Sequence, residues 1–175
     1  MKPNIFLIGF MGTGKTTLGQ ILADQTGMTF IDMDTQIEEL TGKTIADIFK
    51  EDGEAWFRKK ETEVLAESII QENQVFSTGG GIVLRPRNKE LMKNNGIVIA
   101  LKANINTIWE RLKNTSNRPL LNSQNPKEAL QILYQQRMDL YDFAHISIQV
   151  DGRSQAELIK EITAKISLFN SAHIW

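Results

Sequence analysis

The chain has 175 residues, 23% of them charged and 41% hydrophobic, with a formal net charge of −1. That length suits one domain with a substantial core, and the near balance of charge removes the electrostatic case for nucleic acid or an anionic membrane as partner. No cysteine is present, which excludes a disulfide framework and a thiolate metal site and fits a reducing compartment such as the cytoplasm.

In chain order, "NIFLIG" (4–9) reads as a core strand: short, apolar and ended by glycine. The run is too short to span a bilayer and enters a glycine loop with no small-residue cleavage site, so it is not read as a signal segment. Residues 15–26 read as a helix with Leu18, Ile21 and Leu22 on one face and Gly27 as its stop. "MTFIDMD" (28–34) is a second strand, followed by short helices over 35–41 and 44–51 and a longer one from Glu54 to Glu72. "QVFST" (74–78) is a third strand ending in three glycines, and "IVIALK" (97–102) a fourth, followed by a helix through Trp109 and Leu112. Residues 114–125 lack periodicity and read as a mobile lid loop. A helix from Pro126 to Phe143, a strand "ISIQV" (146–150) and a helix from Ser154 to Phe169 complete the pattern. Apolar strands alternating with helices predict a three-layer α/β/α domain over residues 1–175 with a parallel sheet. In such sheets ligands bind beyond the carboxyl ends of the strands, so the loops after Ile8, Asp32, Thr78 and Lys102 should hold the chemistry.

Residues 9–16 fit G-x-x-x-x-G-K-[ST], with Gly9, Gly14, Lys15 and Thr16 in the fixed places, between a strand and a helix. Glycines let backbone N–H groups curl around an anion, and the helix N-terminus adds its dipole. Lys15 then reaches the terminal phosphates of a nucleotide such as ATP, and the Thr16 hydroxyl suits Mg²⁺. Thr17 is either a plain helix residue or a further nucleotide contact.

Asp32 and Asp34 end the second predicted strand, where alternation puts both carboxylates on one side. One suits the metal and the other a substrate hydroxyl. No other predicted strand ends in an acid, so Asp32 is the metal candidate by elimination; a pair of helix-capping aspartates is the alternative. In the helix 126–143, Leu130, Leu133, Tyr134, Arg137 and Tyr141 share one stripe, which turns Arg137 inward. Arg58 lies one turn from Glu61 on another helix. Two inward arginines against one carboxylate leave room for an anionic ligand, although pairing with other protein acids explains them as well from spacing alone. Gly79, Gly80 and Gly81 offer bare backbone at the sheet edge. Arg118 in the aperiodic loop reads either as a lid residue that neutralises transferring charge or as a solvated surface arginine. His145 and His173 show no metal-ligand spacing, and nothing in the sequence calls for an obligate protein partner.

Taken together, "GFMGTGKTT", "DMD", the pattern "FxxxGExxFRxxE" from Phe49 to Glu61, "TGGG", "RPLL" and Arg137 resemble the shikimate kinase family over residues 4–155. The resemblance implies a nucleoside-monophosphate-kinase-like P-loop fold with strand order 2-3-1-4-5, and ATP-dependent phosphorylation of the shikimate 3-hydroxyl on the way to chorismate and the aromatic amino acids. It implies that Asp34 holds ring hydroxyls, that Arg58 and Arg137 hold the carboxylate, and that the Gly79–Gly81 backbone adds contacts. It further implies that Gly12, Thr13, Gly14, Lys15, Thr16 and Thr17 wrap the phosphates, that Arg118 belongs to the lid, that Arg153 in "VDGR" lies near adenine, and that Arg111 is a second adenine neighbour. The tail "NSAHIW" has no counterpart in the pattern. Phosphorylation of gluconate or a nucleoside monophosphate on the same fold, and a non-catalytic nucleotide switch, are the rival expectations.

Overall fold

The computed structural model describes residues 3–113 and 125–172. The predicted lid with Arg118, and His173 in the tail, lie outside these residues. Strand β1 (Asn4–Gly9) leads through the glycine loop into α1 (Lys15–Thr26), then β2 (Thr29–Asp32), α2 (Met33–Thr41), α3 (Ile45–Glu51) and α4 (Glu54–Ser68). Strand β3 (Gln74–Ser77), a 3-10 turn (Ile82–Leu84), α5 (Pro86–Asn94), β4 (Gly96–Lys102) and α6 (Ile105–Leu112) follow. The last elements are α7 (Pro126–Arg137), a 3-10 turn (Met138–Tyr141), β5 (Ile146–Gln149) and α8 (Gln155–Ala172).

All five strands are parallel, in the order β2-β3-β1-β4-β5, with helices on both faces. The layering and the strand order agree with the expectation. The three inner strands are apolar because both of their faces are covered: Phe6, Leu7, Ile8, Phe76, Val98 and Ile99 have no exposed surface. Phe6 stacks on Phe76 across the β1–β3 pair, ring centroids 4.8 Å apart. Burying each such side chain contributes about 1.5–3 kcal/mol, which makes the sheet centre the rigid platform of the molecule. The edges differ. In β5 buried Ile146 and Ile148 alternate with exposed Ser147 and Gln149, and β2 is nowhere fully buried.

Three boundaries depart from the sequence reading. The second strand ends at Asp32, and Met33 already begins α2, so Asp34 lies in a helical first turn and not on a strand. The helix expected over 126–143 stops at Arg137 and tightens into a 3-10 turn. That expected over 54–72 stops at Ser68. The sequence reading also lacked α5, which opens with proline at its first position and turns Leu91 and Met92 inward.

Candidate active site

The loop from Gly9 to Gly14 leaves the centre of the sheet at its carboxyl edge. A β-carbon at Gly9 (φ 146°) would collide with the Leu101 carbonyl of the neighbouring strand, so no other residue lets β1 turn there. Buried Thr13 closes the loop, its hydroxyl donating to the Phe10 carbonyl at 2.8 Å. Lys15 is 8% exposed, with Nζ donating to the Gly9 and Phe10 carbonyls at 2.9 and 3.0 Å. Its ammonium therefore already stands inside the loop, over the free N-terminus of α1. From α6, Arg111 donates to the Gly12 carbonyl at 2.9 Å and ties the loop from outside. Thr17 is exposed in the first turn of α1.

Beside this loop stands a cluster of hard oxygens. The Thr16 hydroxyl donates to Asp32 Oδ2 at 2.9 Å and lies 3.0 Å from Ser77 Oγ. Asp32 Oδ1 accepts the backbone N–H groups of Asp34 and Thr35 at 3.1 and 3.3 Å, making Asp32 the N-cap of α2. Capping and proximity to Thr16 thus coexist in one carboxylate: Oδ1 caps the helix and Oδ2 meets Thr16. Among the described residues no group of three or more histidine, cysteine or acidic side chains gathers to hold a metal. A hydroxyl and one carboxylate at a phosphate loop fit Mg²⁺, which keeps several waters and completes its shell with phosphate oxygens. Replacing Asp32 with Ala removes the cap, and a loss of about 1 kcal/mol in urea unfolding without ligand is the expected result.

The third part lies across the Gly79–Gly81 loop. Arg58 on α4 donates through Nη1 to Glu61 Oε2 at 3.0 Å and through Nε and Nη2 to Glu54 Oε1 at 3.3 Å. Its guanidinium sits 5.0 Å from the Phe57 ring centroid and 5.9 Å from that of Phe49. A β-carbon at Gly81 would run into this guanidinium. A β-carbon at Gly79 would lie 2.9 Å from Glu61 Oε1 and 3.0 Å from Asp34 Oδ1, and one at Gly80 would lie 3.4 Å from the Met11 N–H nitrogen. At Gly79 and Gly81 the acids and Arg58 leave little room for a side chain, while Gly80 is in ordinary contact with the backbone of the phosphate loop, so three parts of the site meet at the triplet.

Arg137 ends α7 on the inward stripe predicted for it. It is half-buried, and among the described residues no carboxylate pairs with it. Burial lowers its pKa, Arg58 lowers it further, and Tyr141, Glu54 and Glu61 oppose that. The two guanidiniums thus share one region with their repulsion only partly offset. Glu61 has no exposed surface, and among the described residues Oε1 finds no hydrogen-bond partner. Burial pushes its carboxyl up to about 7 from an ordinary 4.5; Arg58 pulls it back and Asp34 adds to the rise. The folded chain therefore holds this proton more tightly than the unfolded one. Its share of stability is complete below about pH 4.5 and is lost as pH rises through about 7. In urea unfolding between pH 5 and 8, wild type should lose more stability than Glu61→Gln.

The structure brings Gly12–Thr17, Asp32, Asp34, Arg58, Gly79–Gly81, Arg111 and Arg137 to one edge of the sheet. Arg153 lies just past the carboxyl end of the edge strand β5, ion-paired with Glu161 on α8 and donating to the Gln149 carbonyl at 3.3 Å. Sequence reasoning missed Ser77, the contacts of Phe49, Phe57 and Glu54 with Arg58, and the donation of Tyr141 Oη to the Gly80 carbonyl at 2.6 Å. For Tyr141 a signal existed, since it shares the stripe of Arg137.

A parallel sheet with a phosphate loop after its central strand, an acid at the end of a neighbouring strand and a cationic acceptor region across a glycine loop defines a P-loop phosphotransferase. A family model described as Shikimate kinase matches residues 11–167. A shikimate kinase of Thermodesulfovibrio yellowstonii is 45% identical over 159 residues, covering 91% of this chain and 92% of that protein. The solved structure of shikimate kinase from Acinetobacter baumannii in complex with shikimate superposes with a TM-score of 0.91 at 38% identity, covering 100% of this chain and 97% of that one. A gluconokinase from Sinorhizobium meliloti superposes with a TM-score of 0.58 at 16% identity over 98% of each chain, a likeness of fold alone. The chain belongs to the shikimate kinase family.

Proposed function

We propose that the chain transfers the γ-phosphoryl group of ATP to the 3-hydroxyl of shikimate. The observation that carries this reading is the half-buried Arg137 guanidinium. Beside Arg58, whose own acids it does not share in any ion pair among the described residues, it calls for an anion of about carboxylate size. A small polyhydroxy acid supplies that anion and presents its hydroxyls to Asp34, which stands between the clamp and the phosphate loop. A nucleotide acceptor would need a base pocket as well, and the gluconokinase likeness reaches no further than the fold.

In this reading the amides of Gly12–Thr17 and the Lys15 ammonium cradle the β- and γ-phosphates. Lys15 exchanges its two loop carbonyls for phosphate oxygens when nucleotide enters. Thr16 and Asp32 would hold Mg²⁺, which when bound would neutralise charge on the phosphate oxygens. Arg111 keeps the loop in shape, and Arg153 and Arg111 border the adenine. Arg118, in the segment outside the described residues, adds positive charge for the transferring phosphoryl group. The shikimate oxygen attacks the γ-phosphorus as the bond to the β–γ bridging oxygen breaks, and its proton passes late to Asp34. The protein supplies alignment and charge, and one domain suffices for both. Among the described residues no helix is long and apolar enough to cross a membrane. Together with the cysteine-free sequence and the need for ATP, this supports work in the cytoplasm.

Calorimetric titration with shikimate, with and without ADP–Mg²⁺, tests the reading. One binding site for shikimate is expected; no shikimate heat under conditions where ADP binds would end the assignment. A coupled assay offering shikimate, gluconate and AMP separates the acceptors.

A further inference from the structure

Four groups that meet an acceptor in the reading above come from four different parts of the chain: Asp34 from α2, Arg58 from α4, Arg137 from α7 and the glycine triplet from the loop after β3. Something must hold α7 at a constant distance from the others, because the clamp grips a rigid carboxylate only if its two halves keep their spacing. Tyr141 stands one turn beyond Arg137, on the same inward stripe, and is 1% exposed. Its hydroxyl donates to the Gly80 carbonyl at 2.6 Å. Gly80 is the middle residue of the triplet. On one side Gly81 seats the Arg58 guanidinium, on the other Gly79 faces Asp34 and Glu61, and Gly80 itself packs on the backbone of Gly9–Met11. One phenolic hydrogen bond thus ties the Arg137 side of the site to a loop that touches every other part.

We propose that Tyr141 is a positioning residue for shikimate: by pinning the Gly80 carbonyl it sets the distance between the Arg137 and Arg58 halves of the carboxylate clamp. Burial pushes the Tyr141 hydroxyl up to about 12, so it remains a donor throughout the working range of pH. The inference rests on the clamp reading given under the proposed function.

The test is Tyr141→Phe, which fills the same space and deletes only the donor, compared with Arg137→Ala and with the double variant. Steady-state kinetics should show the shikimate KM of Tyr141→Phe raised about tenfold, the loss of one hydrogen bond to a buried carbonyl. The ATP KM should stay within about twofold and kcat should fall much less than the shikimate KM rises. In the Arg137→Ala background the same change should add little, because a clamp with one half missing has no spacing to lose. An unchanged shikimate KM in Tyr141→Phe, beside a raised one in Arg137→Ala, overturns the inference and leaves the clamp standing. An equal rise in the ATP KM, or full additivity in the double variant, also overturns it, since either marks general loosening. If Arg137→Ala leaves the shikimate KM unchanged, the clamp reading fails and the inference fails with it.

Discussion

Replacing Asp34 with Asn is expected to lower kcat by about two to four orders of magnitude, the usual contribution of a positioned proton acceptor. The substitution keeps the size of the side chain and its capacity to accept a hydrogen bond from a substrate hydroxyl. What it deletes is the negative charge and the basicity that take up the proton as the phosphorus–oxygen bond forms. The surroundings make the charge specific to this task. Asp34 lies in the first turn of α2, where an acid is favoured by the helix dipole, and its Oδ1 faces Gly79 beside Glu61 Oε1. The phosphate loop is untouched, so the dissociation constant for ADP–Mg²⁺ should remain within about twofold. Rapid-quench measurement of the chemical step, together with ADP titration, checks both halves. Turnover near wild type would take Asp34 out of the mechanism.

Arg137→Ala should raise the KM for shikimate about a hundredfold or more. Truncating one partner of a buried, hydrogen-bonded charge pair typically costs about 2–5 kcal/mol of binding. The variant also makes a second, opposite prediction. In the free protein Arg137 is a half-buried cation whose ionisation is opposed by burial and by Arg58, and among the described residues it has no carboxylate in ion pairing. Removing it should leave the folded state no less stable, and the thermal midpoint unchanged or higher. Loss of affinity without loss of stability is the mark of a site group whose partner is the ligand. Arg58→Ala would not show it, because Glu61 would stay buried without its cation. Arg137→Lys keeps the charge and lacks the planar fork, so only partial recovery of the KM is expected. A shikimate KM unchanged by Arg137→Ala would refute the carboxylate clamp.

Much of this molecule was legible before any coordinates, and the legible parts share a physical cause. The phosphate loop is contiguous: strand, glycines, lysine and helix start fall within residues 4–26, and the bonds from Lys15 and Thr13 that close it come from within this stretch. Strand–helix alternation likewise reports on the burial of each element by itself, and from it the parallel sheet followed. Arg137 was placed on the correct face of its helix because the 3.6-residue period survives the tightening into a 3-10 turn well enough to bury Tyr141. The motif series from Phe49 to Glu61 marked Arg58 and its acid as neighbours one helical turn apart, and they are.

What tertiary structure decided was every partnership between residues distant in the chain. Strand alternation placed Asp32 and Asp34 side by side, but the chain turns into α2 at Met33; Asp32 became the cap that shares its second oxygen with Thr16, and Asp34 moved to Gly79 and Glu61. Arg111 meets Gly12, and Tyr141 meets Gly80, across separations no periodicity records. The proton held by Glu61 near neutral pH, against an ordinary carboxylate range, follows from complete burial, which only the closed fold imposes. Residue order determines which groups are available and which face of its own element each occupies. The packing of those elements sets the distances between them and the water excluded around them, and on those two quantities the strength of every charge in the site depends.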